Sequence, residues 1–300
     1  MSFGPFAGTY DPLFRGAWLK WAHGLGHAQA LDADIEAFSF DGHRDPLLGV
    51  QADYDPRRHG FSVRATAIAP VPAHWGLMLG DVAHNYRSAL DHIAWAVVCR
   101  GITPPTVLTE SQQRAVQFPI ADARAAFNGS LRTRLPGARR ADVGVIRRRQ
   151  PYHYSRRFQL RHYLTVLSAL NNRDKHRTLQ PIWVQPTRVD VEITRMQDCV
   201  VPRLGSPRRP TPLEVGEELT FIRARKRGTA PRLEVTPRVA GEPSIENRIG
   251  VRTWIVQCAV FTAVMLREFS EPPPEVIDRS DLWAWFASHA AASRPPVKRS

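Results

Sequence analysis

In the stretch LGDVAHNYRSALDHIAWAVV, Leu79 to Val98, seven residues able to move protons or hold anions fall close together: Asp81, His84, Asn85, Arg87, Ser88, Asp91 and His92. At about 100° per residue on a helix, Asp81, Asn85, Ser88 and His92 form one row and His84, Arg87 and Asp91 the next. Imidazole titrates near neutrality and can act as general acid or base, while a guanidinium can hold a phosphate or a developing negative charge. The same residues suit two other roles. One is an exposed face with an Arg87–Asp91 pair contributing a few tenths of a kcal/mol; the other is a buried hydrogen-bond network that fixes helix register.

A second polar group, LNNRDKHR, brings Asn171, Asn172, Arg173, Asp174, Lys175, His176 and Arg177 to the expected end of a later helix, where the helix dipole favours cations. It reads either as a helix cap with an Asp174 ion pair or as the far wall of a cleft. In the second case Lys175 and His176 face the flank of the earlier helix. Charge distribution bears on the choice. Of the formal +13, the segment from Arg132 to Arg177 holds +11, since twelve Arg and Lys175 stand there against Asp142 and Asp174. Within it, RRRQPYHYSRRFQLRHY interleaves arginines with Tyr152, Tyr154, Phe158 and Tyr163, a mixture that can grip phosphates while stacking unpaired bases. The segment 132–177 reads either as a solvated arginine-rich surface, since arginine is plentiful throughout the chain, or as a groove that takes RNA as a partner.

RSALDH, Arg87 to His92, is an arginine followed after four residues by a histidine. On a helix in a four-helix bundle it resembles the signature of the HEPN superfamily of bacterial and archaeal nucleases and nucleotide-linked toxins. The pairing of NYRSALDH with LNNRDKHR is also similar to an uncharacterised bacterial family marked by those two motifs. The HEPN resemblance implies metal-independent RNA cleavage. Arg87 would hold the scissile phosphate and His92 would act on the 2′-hydroxyl or the leaving oxygen; His176 joins them as a catalytic candidate if the second motif faces the first. His84, Asn85, Ser88, Asp91, Asn172, Asp174, Lys175 and Arg177 would line the substrate site. It also implies a homodimer with the cleft on a two-fold axis, and no cofactor.

Two other classes compete. A metal enzyme could draw ligands from Asp81, His84, Asp91, His92 and His176, but the second and third helices carry neither Glu-x-x-His nor His-x-x-x-His spacing, so no metal is expected. A non-catalytic binding or structural protein would use the polar flank as a buried network. The chain lacks GxxxxGK[ST], GxGxxG, GxSxG and HExxH, which removes support for nucleotide, dinucleotide, α/β-hydrolase and zincin assignments. Cys99, Cys199 and Cys258 are odd in number and widely spaced, which suits a reducing cytoplasm and no disulfide. The most apolar run, Thr253 to Leu266, is 14 residues long and too short to span a bilayer.

The elements that must position these groups follow from periodicity. Asp11-Pro12 opens a first helix with Phe14, Trp18, Trp21, Leu25, Ala28, Ile35 and Phe38 at three- and four-residue steps. Alternation on either side of DPRRHG predicts a hairpin over 48–69. A second helix runs from His74 to Arg100, burying Leu79, Val82, Ala83, Tyr86, Leu90, Ile93, Ala94 and Val97. A connector with short helices at Ala121 to Phe127 and Asp142 to Arg149 leads to a third helix, Ser155 to Asn172, with Leu160, Tyr163, Leu164, Leu167 and Leu170 inward. Strands are expected at Val189 to Thr194, Glu218 to Arg223 and Arg232 to Pro237, and a fourth, enclosed helix at Ile249 to Phe269. The expected fold class is mainly α (α+β): one four-helix-bundle domain over 1–272 with the hairpin and later strands (about 189–237) as additions. Residues 273–300 should give a short helix at Asp281 to Ala291 and a disordered basic tail.

Overall fold

The computed structural model describes residues 9–40, 48–68, 71–102, 107–160, 162–175, 182–203, 214–245 and 249–290. The fold is mainly helical with antiparallel sheet, an α+β protein. Two compact units can be separated, one comprising Met1–Ala33, Ala73–Gln180 and Arg252–Ser300, the other Asp34–Pro72 and Pro181–Val251. The strands expected as additions to a helical domain thus gather as a unit of their own.

In the helical unit, the Asp11 carboxylate accepts the Leu13 amide and caps a 3-10 turn at Pro12–Phe14, which runs into α1 (Arg15–Phe40). The first-helix stripe is buried as its spacing requires: Phe14, Trp18, Trp21, Leu25 and Ala28 have no exposure. Large indoles need their N–H satisfied when buried. Trp21 donates to the Ala259 carbonyl at 2.9 Å and Trp18 to the Ser270 carbonyl at 3.3 Å. Both acceptors lie on or just after α8 (Val251–Arg267), the most enclosed helix, where Trp254, Ile255, Ala259, Ala263 and Leu266 are wholly buried. Every residue of the expected second-helix stripe is also fully buried, on α2 (His74–Gly101).

Smaller elements follow: α3 (Glu110–Ala115), α4 (Arg124–Arg134), α5 (Arg140–Arg148), α6 (Arg156–Gln159), α7 (Tyr163–Lys175), which packs on α2, α9 (Pro274–Ile277) and α10 (Ser280–Ala290). The third helix departs from expectation. It breaks into α6 and α7 because the imidazole of His162 caps α7: its Nδ1 accepts the Leu164 amide at 3.3 Å and its carbonyl accepts the Val166 amide at 3.0 Å. Leu164, Leu167 and Leu170 remain inward, but Leu160, stranded before the break, is 52% exposed. The proposed basic tail, 291–300, lies outside the described residues.

The second unit holds two antiparallel sheets, ordered β1-β2-β5-β4 and β3-β6-β7. Their strands are β1 (Leu48–Asp55), β2 (Gly60–Ile68), β3 (Ile182–Gln197), β4 (Cys199–Arg203), β5 (Glu218–Lys226), β6 (Arg232–Ile245) and β7 (Ile249–Gly250). The hairpin forms where alternation placed it, with Phe61, Val63 and Ala65 of β2 facing Leu219, Ile222 and Ala224 of β5 in one apolar cluster. Gly60 is required where it stands, since a Cβ there would meet the Ile222 carbonyl oxygen at 2.4 Å. β3 and β6 are far longer than expected. Pro237 does not end β6, because β6 pairs with β3 alone at that point and a proline nitrogen turned to the other side costs no ladder bond. Among the described residues no helix is long and apolar enough to cross a membrane.

Candidate functional site

The polar flank of α2 divides into two edges with different neighbours. On the first edge, Arg87 lies against an extended segment, Val116 to Ala121, that has no partner strand. A buried extended backbone must still satisfy its N–H and C=O groups. Side chains do so here. Asp91 Oδ1 accepts the Phe118 amide at 2.8 Å and Arg87 donates to the Phe118 carbonyl at 3.0 Å. The Gln150 side chain accepts the Ala121 amide at 3.0 Å and donates to the Pro119 carbonyl at 2.9 Å. Arg87 and Asp91 are themselves joined by two hydrogen bonds, at 2.8 and 3.1 Å. Burial lowers the Arg87 pKa from its ordinary value, and Asp91 offsets part of that. Arg87 thus holds the segment carrying the fully buried Phe118 directly through the Phe118 carbonyl and indirectly through Asp91.

A consequence can be measured. Breaking a buried pair leaves the surviving partner uncompensated, and with the Asp91 side chain one-third open to solvent (33%) the expected loss for Arg87→Ala is about 2 kcal/mol. Urea denaturation checks it. An Arg87→Ala variant as stable as the parent would show that the guanidinium is not needed to hold Phe118.

On the second edge, α2 lies against α1, and two glycines permit the approach. A Cβ on Gly16 would stand 2.8 Å from His92 Nδ1, and one on Gly24 would stand 3.1 Å from the Asn85 Cβ and the Tyr86 ring. Asn85 is buried there and donates to the Asp81 carbonyl at 2.8 Å, while Ser88 is half-buried. His84 and His92 are exposed. The contact with α1 strips part of the hydration from His92 and lowers its pKa; Lys20 adds to the lowering and Asp91 opposes it. Asp81 acts on His23 of α1, whose pKa is lowered chiefly by burial and also by His27 and Lys20. Lys20, His23 and His27, which the sequence reading passed over, thus border the same edge. Their signal was available: the His-x-x-x-His spacing sought on the second and third helices stands on the first, as His23-Gly-Leu-Gly-His27.

The second motif is only partly visible. Asn171 is buried and Asn172 exposed near the end of α7. The backbones of Asp174 and Lys175 lie in its last turn, while His176 and Arg177 fall outside the described residues. The expected meeting of His92 with His176 concerns a residue beyond that description. Among the described residues no group of three or more His, Cys, Asp or Glu is arranged to enclose a metal ion.

The basic segment forms a concavity of its own. A pocket of about 580 Å³ opens between α4 and α5, with Arg132, Arg140 and Arg147 around an apolar floor that includes Leu131, Leu135 and Val143. No acidic residue lines it. Arg132 and Arg140 are exposed and form no ion pair with a carboxylate among the described residues. The Arg147 guanidinium reaches Asn128 Oδ1 at 3.4 Å and stands 5.7 Å from the Phe127 ring, and its Nε is buried without a hydrogen bond among the described residues. Further along the segment, the interleaved aromatics sort into two kinds: Tyr154 (46%) and Phe158 (54%) are exposed, whereas Tyr152 packs edgewise on Phe127 and Tyr163 stacks on Phe261. No family model, no curated protein and no solved structure matches the chain, so the HEPN resemblance stands on the residues of its motif alone.

Proposed function

We propose that the protein binds single-stranded RNA through the arginine pocket between α4 and α5. One observation carries the reading: three guanidinium groups surround a concave apolar floor with no carboxylate among the lining residues. Guanidinium forks match phosphate geometry, and an apolar floor accepts the face of an unpaired base. The exposed rings of Tyr154 and Phe158, beside the exposed Arg156, offer further stacking surface along the same segment. The choice of RNA over DNA comes from the HEPN resemblance. Cleavage by Arg87 and His92 has less support, because the hydrogen bonds of Arg87 go to Asp91 and the Phe118 carbonyl. The reading is therefore of binding, with the Arg87–Asp91 pair as a support of the fold.

The test is fluorescence anisotropy with a labelled single-stranded RNA across a salt series. Replacing Arg132 and Arg140 by Ala should weaken binding roughly tenfold or more at low salt. It should also flatten the log–log salt slope by about 1.4, two phosphate contacts at about 0.7 each. Both side chains are exposed, so denaturation midpoints should stay at the parent value. Equal affinity of parent and double variant, or no binding by the parent at 50 mM salt, removes the proposal.

A further inference from the structure

We propose that His23 and His27 form a two-imidazole chelate for a borderline divalent transition-metal ion, zinc in the first instance, on the edge of α1. Residues four apart on a helix share a face, and here the two Nε2 atoms stand 3.3 Å apart with the rings nearly perpendicular, at 88°. That separation is the one a metal needs. Two nitrogens bound to zinc at about 2.0–2.1 Å with a tetrahedral angle lie about 3.3–3.4 Å from each other. On binding, the rings exchange their mutual N–H···N contact for a shared ion, and the donor ring's proton moves to its own Nδ1, so both imidazoles ligate through Nε2 as neutral groups.

The surroundings fit a partly open site. Apart from its chain neighbours and its own helix, no described atom lies within 4 Å of where a Cβ on Gly26, between the two histidines, would stand, so the helix surface there is open. Gly24, on the opposite side, lets α1 sit against Asn85 and Tyr86 and fixes how the pair is presented. Asp81 of α2 favours positive charge at His23, whereas Lys20 and Arg279 oppose it. With no third protein donor among the described residues, the ion would keep water or an incoming ligand at its other positions. Copper(II) should bind more tightly than nickel(II) or zinc(II) at such a nitrogen pair. The site is separate from the arginine pocket, and its fate does not depend on RNA binding.

Zinc binding to the full chain is read by competition with a chromophoric chelator, and the ligands by electron paramagnetic resonance of the copper(II)-loaded protein. The expected result is one ion per chain, coupling to two imidazole nitrogens, and an affinity reduced roughly tenfold or more in both His23→Ala and His27→Ala. Circular dichroism should show the parent helix content in each variant. Binding that persists unchanged in both variants places the ion elsewhere and overturns the proposal, as does a parent protein that binds no zinc at 100 micromolar. A copper signal with one nitrogen, or none, would also overturn it.

Discussion

Asp32→Ala is expected to lower the stability of the helical unit by about 2 to 3 kcal/mol, below the full range for breaking a buried ion pair because the Arg252 and His289 side chains that remain are 35% and 31% exposed. Asp32 is 3% exposed and sits where three helices meet. From α8, Arg252 Nε donates to Oδ1 at 2.5 Å; from α10, Trp285 Nε1 donates to Oδ2 at 3.1 Å and His289 Nε2 lies 3.2 Å from the same oxygen. The carboxylate is the acceptor these groups share, so its loss takes from Trp285 Nε1 the acceptor it uses here and opens a space the size of the missing group. Asp32→Asn should cost less, since one oxygen remains while the charge is gone. The measurement is chemical denaturation followed by tryptophan fluorescence. It reports largely on this unit, because Trp18, Trp21, Trp75, Trp95, Trp254, Trp283 and Trp285 belong to it. A loss below about 1 kcal/mol for Asp32→Ala would mean that water replaces the carboxylate without penalty.

The second large effect is a response to acid. Burial pushes the His162 pKa down to about 4 from its usual 6.5, and burial is the whole cause. Around the ring stand Tyr154 and Tyr163, at centroid distances of 5.0 and 4.1 Å, and its Nε2 is buried without a hydrogen bond among the described residues. Below pH 6.5 the unfolded chain binds a proton that the folded chain refuses. Stability therefore falls as pH drops from about 6.5 and levels off below about 4. At 1.36 kcal/mol per unit, the full swing is about 3 kcal/mol. Carboxylates titrate over the lower part of this window, so the informative quantity is a difference. His162→Gln should cost some stability at pH 7, yet lose about 3 kcal/mol less than the parent between pH 7 and pH 4. Parallel pH profiles for the two proteins would show that His162 carries no such burden.

The acid effect arises from the residue that sequence periodicity handled worst. Leucines at three- and four-residue steps run straight through His162, so the pattern reads as one helix. The imidazole that caps α7 is a local competitor that periodicity does not detect. The long helices were legible because each buries a continuous stripe, and the stripe is what burial selects for. The strands were less so, since β3 and β6 carry prolines that are tolerated only because of how the ladder is paired. The same contrast holds for the polar flank of α2. That it departs from an ordinary solvated face was visible in its residue types. That Arg87 and Asp91 face an orphan extended segment, while Asn85 and His92 meet glycines of α1, depends on contacts across 27 or more residues of chain, as with Asp91 and Phe118. The arginine pocket was foreshadowed by charge density alone. Its floor comes from Leu131, Leu135 and Val143, which look unremarkable in sequence.

If the pocket between α4 and α5 takes RNA as proposed, the preference of this chain for arginine over lysine sets how the ligand can be released. Guanidinium groups as a class stay protonated throughout the range in which proteins remain folded. Protons cannot unload them. Release falls instead to competing ions and to rival polyanions, which makes the occupancy of this surface a gauge of ionic conditions rather than of pH.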